Sequence, residues 1–251
     1  MFECKPRDIF ITYMSLANFR YLISPFFIGK YYLQRDIVTA IGTYKFEGTV
    51  FDLGCGQKPY QALFTYSSKY VGIDFGEYST NKDFGQNKPD YLFSSHYRDD
   101  SLLDIENESF DNAVAFQVLE HHPEPQIMIK EMVRITKKGG LLMVTVPFLG
   151  GLHEEPFDFQ RFTKYQLSRL FQAQGCEMLC IKEQGALFST ILMLLSEHLN
   201  WFAAKNKFFY YASFIGYVPL LFCMYGAIIV DRFIPSDKIF INYLVVAKKN
   251  G

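Results

Sequence analysis

The chain has 251 residues, 49% apolar and 18% aromatic, with 25 basic and 26 acidic side chains and a net charge of −1. This length suits one enzyme-sized domain or a domain with an attachment, and the composition excludes disordered and collagen-like chains. The near-neutral charge sets nucleic acid aside as an expected partner, since a dedicated binder would carry a basic excess.

Residues 1–47 read as an N-terminal helical segment in which Leu33, Ile37 and Ile41 recur at helical spacing and Gly42 ends the run. We expect this segment to cover the ligand cleft of the domain that follows. Lys5, Arg7 and Asp8 precede only a short, interrupted apolar stretch without a small-residue cleavage site, so no secretory signal is expected. The cysteines (Cys4, Cys55, Cys176, Cys180, Cys223) are odd in number and form no C-x-x-C pair. Neither a disulfide framework nor a zinc ribbon is expected, which fits a reducing compartment.

From Thr49 onward, short apolar runs alternate with helical stretches. The expected strands are Thr49–Leu53, Lys69–Ile73, Asp90–Phe93, Asn112–Phe116 and Leu141–Val146, with a helix over Pro125–Thr136. Such alternation predicts an α/β fold whose parallel sheet carries helices on both faces and binds ligands at the carboxyl ends of its strands. Thr163 with Gln166 reads as a capping box, Leu167, Leu170 and Phe171 form an apolar helix face, and Gly175 stops that helix. Cys176–Glu183 and Phe240–Ala247 read as two more strands.

An apolar helical insertion separates these last two strands. Ala186–Ala204 holds few polar positions, Lys205-Asn206-Lys207 interrupts it, and Phe208–Val230 carries no charge. About 20 apolar residues are enough to span a bilayer. A spanning hairpin would place two lysines on the far side, against the positive-inside tendency. A monotopic hairpin resting in one leaflet fits the aromatic-rich composition better. An apolar lid or dimer surface is the plainer alternative. The resulting division is an N-terminal helical segment (1–47), a core (48–185), a hydrophobic insertion (186–238) and a final strand (239–251).

Three segments carry chemistry. Phe51-Asp52-Leu53-Gly54-Cys55-Gly56 runs a strand into a turn with two glycines one residue apart, where backbone can approach a ligand closely. A dinucleotide fingerprint would place a third glycine at the position held by Pro59. Val71-Gly72-Ile73-Asp74 ends the next strand in an acid 22 positions after Asp52, suited to accept both hydroxyls of a ribose. Ser109-Phe110-Asp111 then leads a strand into Gln117-Val118-Leu119-Glu120-His121-His122, followed by Pro123, a helix and Lys137-Lys138-Gly139-Gly140.

Taken in order, these segments resemble the class I S-adenosylmethionine-dependent methyltransferases. The likeness is to the broad type 11-like group in which a DxGxG turn precedes "SFD…VLEH…P…GG", over roughly Thr49–Phe171. "DLGCGQKPY", "VGID" and "HEEPFDFQRFT" further resemble a bacterial subgroup associated with cell-surface glycan and lipid modification. The resemblance implies a Rossmann-like fold with a seven-stranded, mostly parallel sheet and an antiparallel last strand. It implies S-adenosyl-L-methionine as cofactor, bound by Asp52, Gly54, Cys55 and Gly56 at the turn. Asp74 would take the ribose, Asp99 or Asp100 the adenine, and Gln117 the methionine end. A sulfonium already activates the methyl group, so transfer requires no metal and none is assigned. It requires an in-line nucleophile in a dry site and, for oxygen or nitrogen acceptors, a general base.

The loop from Pro147 to Thr163 should lie at the acceptor end. His153 is its only histidine and is the expected general base. His121, His153 and Arg161 are the expected acceptor contacts, with Arg161 and His121 open also to loop-fixing roles. Adjacent histidines followed by Pro123 lack helical ligand spacing, which argues against a metal on His121, His122, His153 and Glu154. The expected enzyme is cytoplasmic, peripheral or monotopic on the inner face of the cell membrane, and methylates a small-molecule or lipid-linked acceptor. A non-catalytic, membrane-associated binding module on the same fold is the competing reading. A nicotinamide-dependent oxidoreductase is disfavoured by Pro59.

Overall fold

The computed structural model describes residues 24, 26–75, 88–93, 105–205 and 207–251, with the backbone alone at Phe75 and 207–216. Seven strands form one sheet: β1 (Gly48–Leu53), β2 (Ser67–Phe75), β3 (Tyr91–Phe93), β4 (Phe110–Phe116), β5 (Thr136–Pro147), β6 (Cys176–Gln184) and β7 (Asn242–Lys249), in the order β3-β2-β1-β4-β5-β7-β6. Strands β3, β2, β1, β4 and β5 pair in parallel, and β7 is antiparallel to both β5 and β6. The chain steps outward from β1 to β3 and then returns to place β4 on the other side of β1. That reversal opens a crevice at the carboxyl ends of β1 and β4, where open α/β sheets bind ligands.

Alternation along the strands builds two cores. Phe51, Leu53, Ala113, Val144 and Val245 face helices α2 (Pro125–Ile135) and α3 (Lys164–Ala173), which contribute Met128, Ile129, Met132, Leu167 and Phe171. The intervening residues Val50, Val114, Met143, Leu244 and Val246 face the opposite way, against Leu33, Ile37 and Ile41 of helix α1 (Phe27–Tyr44). Thr163 caps α3 by accepting from the Gln166 backbone N–H at 3.3 Å, and Gly175, at φ +73°, turns the chain into β6.

Two boundaries differ from the sequence expectation. Strand β5 begins at Thr136, because Thr136 pairs with Phe110 of β4, and the register shifts before Leu141 pairs with Asn112. Helix α1 runs past Gly42 to Tyr44 and ends on Lys45 in the left-handed region, φ 49°. Nor does its described part cover the ligand edge. Phe27, Ile28 and Tyr32 pack on Met193, Leu220, Met224 and Ile241, tying α1 to the insertion. Buried Asp36 pairs with Arg35 and with Lys182 of β6, both at 2.8 Å, and accepts from Gln184. Fully burying side chains of this size contributes about 2 kcal/mol each, so α1 is part of the core.

The insertion is a helical hairpin of α4 (Leu187–Ala204) and α5 (Lys207–Phe233). Asp231 of α5 accepts from the backbone N–H groups of Phe188 and Ser189, at 3.0 and 2.8 Å, and so caps the start of α4. The hairpin's outer side is apolar and solvent-facing. Ile191, Trp201, Phe222, Ile229 and Phe233 are 51, 54, 74, 61 and 78% exposed. Among the described residues, no helix is long and apolar enough to cross a membrane.

Candidate active site

The turn after β1 is stitched to β2. The N–H groups of Gly54 and Cys55 donate to the Ile73 carbonyl at 2.8 and 3.0 Å. Gly54 sits at φ +70°, and a Cβ there would meet Val118 Cγ2 at 2.6 Å, so only glycine fits. Gly56, at φ +51°, is different: a Cβ there would find nothing nearer than Asp74 Oδ2 at 4.0 Å. Its N–H donates to that same carboxylate at 2.5 Å. The turn therefore presents open backbone beside an acid, the cradle a ribose and amino-acid chain need.

Asp52 lies beneath this turn, 1% exposed. Opposite it on β2 stands Gly72, and the Tyr70 hydroxyl donates to Asp52 Oδ2 at 2.5 Å, while Oδ1 has no partner among the described residues. Burial pushes the Asp52 carboxyl up to about 7, against the pull of Tyr70. The Cys55 thiol is also buried, and burial raises its pKa, which makes it packing rather than a nucleophile. Lys58 and Asp90 brace the edge: Asp90 Oδ2 accepts from Lys58 Nζ at 2.8 Å and from the Gly72 N–H at 2.7 Å. Asp99 and Asp100 lie outside the described residues.

Gln117 follows β4 with φ +56°, a left-handed conformation that non-glycine residues adopt rarely and mostly at functional sites. Its N–H donates to the Thr145 carbonyl at 2.9 Å. Its Nε2 and the Thr145 hydroxyl are buried and find no partner among the described residues. Buried polar atoms are nearly always bonded, so orphans grouped at one sheet edge mark where a ligand supplies the missing bonds. The turn, Asp74 and these orphans together fit S-adenosylmethionine.

A second group of residues adjoins the first. Glu120 and His121 occupy a short 3-10 turn, Leu119–His121. The Glu120 side chain is fully buried, and neither carboxylate oxygen has a hydrogen-bond partner among the described residues. Burial pushes its carboxyl up to about 8. The His121 and His153 rings meet edge to face, centroids 4.9 Å apart. The loop after β5 is bound to this turn: His121 Nδ1–H donates to the Phe157 carbonyl at 2.9 Å, and the Phe159 N–H to the Glu120 carbonyl at 2.9 Å. Arg161 spans Asp158 at 2.5 and 2.8 Å and donates to the Gly151 carbonyl at 3.2 Å. That bidentate grip holds the Asp158 carboxyl down at about 2 and occupies the guanidinium in shaping the loop. His122 points elsewhere: it is 1% exposed, its Nδ1 accepts from the Glu124 N–H, and burial lowers its pKa to about 4.

The structure thus gathers Asp52, Gly54, Cys55, Gly56, Asp74 and Gln117 at one edge and His121, His153 and Arg161 beside it. Sequence reasoning missed Glu120, Thr145, Tyr70 and the Lys58–Asp90 brace. Glu120 was visible in the Gln-x-x-Glu-His segment. The others act through cross-strand contacts that no local pattern announces.

A family model described as a methyltransferase domain matches residues 51–144. No curated protein matches the sequence. Among solved structures, a putative methyltransferase from Bacillus halodurans superposes with a TM-score of 0.53 at 14% identity, over 86% of this chain and 98% of that one. The 1,6-didemethyltoxoflavin-N1-methyltransferase of Burkholderia thailandensis, solved with 1,6-didemethyltoxoflavin and S-adenosylhomocysteine, gives 0.50 at 13% identity, over 87% and 79% of the two chains. The [4+2]-cyclase SpnF gives 0.50 at 21% identity, over 86% and 79%. These likenesses establish the fold. A cyclase among them shows that the fold leaves the reaction open.

Proposed function

We propose that this chain, whose residues 51–144 match a methyltransferase-domain model, is a class I, S-adenosylmethionine-dependent methyltransferase that methylates a small lipid-linked acceptor, such as a cell-surface glycan precursor, at a membrane surface. One contact carries the reading: the Gly151 N–H of the acceptor loop donates to Glu197 of α4 at 3.1 Å. The loop that faces the acceptor is thereby attached to the helical hairpin whose outer side is apolar and exposed. A lipid-borne acceptor and a membrane-seated hairpin would meet at that junction.

The hairpin is read as lying along the bilayer interface. Lys205 stands at its turn and Arg232 at its far end, so both ends would keep a cation at headgroup level while the outer side enters the acyl boundary. Lys205 Nζ lies 3.4 Å over the Trp201 ring, a pairing suited to that interface. On this reading the enzyme is monotopic on the cytoplasmic face of the cell membrane.

When bound, S-adenosylmethionine supplies a methyl group already activated by its sulfonium. The chain's task is to orient and desolvate. Asp74 and the open backbone at Gly56 would hold the ribose side, and Gln117 with Thr145 the methionine end. His153 Nδ1–H donates to the Gly151 carbonyl at 3.2 Å and lies 3.4 Å from Asp158 Oδ2, which leaves Nε2 with its lone pair as the proton acceptor for the incoming nucleophile.

Calorimetric titration with S-adenosylmethionine and, separately, NAD tests the first half, with micromolar binding of the former alone expected. Flotation with anionic liposomes tests the second. Protein that stays in the aqueous fraction and runs as a monomer without detergent would remove the membrane from the proposal.

A further inference from the structure

We propose that Glu120, His121 and His153 form a binding site for one divalent first-row transition-metal ion. One ligand atom from each of the three lies within 4.8 Å of the others. Such an ion bonds imidazole nitrogen and carboxylate oxygen at about 2.0–2.2 Å, so its ligands sit roughly 3–3.5 Å apart. Closing that gap takes about an ångström of side-chain rotation, available to His153 with its side chain 41% exposed.

Two observations set this group apart from an ordinary polar cluster. The first is Glu120. Its side chain is fully buried, its Oε1 lies 3.8 Å from His121 Nε2, and no donor among the described residues reaches either oxygen. A carboxylate removed from water without a partner is costly, and a cation seated against it offsets that cost. The second is the protonation pattern of the imidazoles. A carbonyl only accepts, so the contacts to Phe157 and Gly151 put the ring protons on Nδ1 of His121 and of His153. Both Nε2 atoms are left as lone pairs. A ring whose far N–H is tied to a backbone carbonyl is how proteins orient a metal-ligating histidine. Arg161 spends its hydrogen bonds on Asp158 and reaches Glu120 through space alone, so it leaves the oxygens open to a ligand.

Two imidazoles and one carboxylate select a borderline transition ion over calcium or magnesium, which favour all-oxygen shells. Glu154 Oε2, 3.8 Å from His121 Nε2, is within reach as a further oxygen ligand. The expectation against a metal rested on the adjacency of His121 and His122. The structure turns His122 away and brings in Glu120, which that reasoning had not considered. The inference rests on the methyl-transfer reading and revises one role in it, since His153 with Nε2 bound to an ion would not take the acceptor's proton.

The test uses tag-free, chelator-stripped full-length protein. Mn2+ is titrated with the free-ion electron paramagnetic resonance signal as readout, and Co2+ by its visible absorption. One ion per chain is expected, with the d–d bands of a nitrogen- and oxygen-ligated Co2+. His153→Ala and Glu120→Gln should each weaken binding at least tenfold with unchanged circular dichroism. If Glu120→Gln fails to fold, the half-exposed His153→Ala decides. No uptake by the wild type, or uptake that neither substitution weakens, overturns the site. S-adenosylmethionine titration of the same samples separates the two proposals. Cofactor binding without metal uptake rejects the site alone, and metal uptake without cofactor binding rejects only the methyl-transfer reading.

Discussion

Replacing Asp52 by Asn should stabilise the ligand-free protein by an amount that grows with pH. The Asp52 carboxyl is 1% exposed, bonded among the described residues by the Tyr70 hydroxyl alone, and burial raises its pKa from 3.8 to about 7. The folded chain therefore holds a proton that the unfolded chain releases between about pH 4 and pH 7. Stability from this group is complete below pH 4 and is lost as pH rises through 7. At about 1.4 kcal/mol per pH unit, the interval from 3.8 to about 7 amounts to about 4 kcal/mol. Asn is neutral throughout and still accepts from Tyr70. Wild type and Asp52→Asn should match near pH 4, and the variant should be more stable by about 2–4 kcal/mol at pH 8. Urea unfolding followed by circular dichroism at pH 4.5, 6 and 8 measures the gap. Other titrating groups are common to both proteins, so a gap that stays constant with pH, or favours the wild type at pH 8, would refute the reasoning.

Asp74→Ala should weaken S-adenosylmethionine binding about 10- to 100-fold, the value of charge-assisted hydrogen bonds to ribose, with the urea midpoint nearly unchanged; calorimetry decides, and equal affinity would take Asp74 out of the site. Gly54→Ala places a Cβ 2.6 Å from Val118 at φ +70° and should cost about 2–4 kcal/mol in the same unfolding assay. The pair Phe222→Ser and Ile229→Ser alters side chains already 74 and 61% exposed, so stability should hold. Liposome partitioning should drop at least tenfold, because each apolar side chain contributes about 1–2 kcal/mol to burial in the acyl boundary. Undiminished flotation would contradict the in-plane hairpin.

Much of the fold was legible because alternation and punctuation are local. Val50 and Phe51 face opposite cores as an alternating strand must, and Thr163 and Gly175 bound α3 where cap and stop residues belong. The glycine turn and Asp74 were legible because chain order alone puts both at strand ends. What stayed hidden depends on distant partners. The strand was expected only from Leu141, and it begins earlier because Thr136 pairs with Phe110 of β4. Asp90 meets Lys58 only because β3 lies beside β2. Glu120 stands in the quoted Gln-x-x-Glu-His segment, but its burial depends on the fold, where the distant Phe159 N–H bonds its carbonyl. Helix α1 carried the right period, but which surface it covers was set by Asp36 finding Lys182, a contact spanning most of the chain.

The hairpin leaves the sheet after Gln184 and re-enters at Asn242, residues that sit opposite each other in the β6–β7 ladder. Its entry and exit therefore share one doorway, and Ile241 closes the threshold by bonding Gln184 and the start of the acceptor loop. A module attached in this way is interchangeable. A short reverse turn could bridge Gln184 and Asn242 without moving any strand, and a different hairpin could be grafted there to send the same catalytic edge to another surface. On the membrane reading proposed above, address and chemistry are written on separable parts of one chain, joined chiefly by α1 and by the Gly151–Glu197 bond.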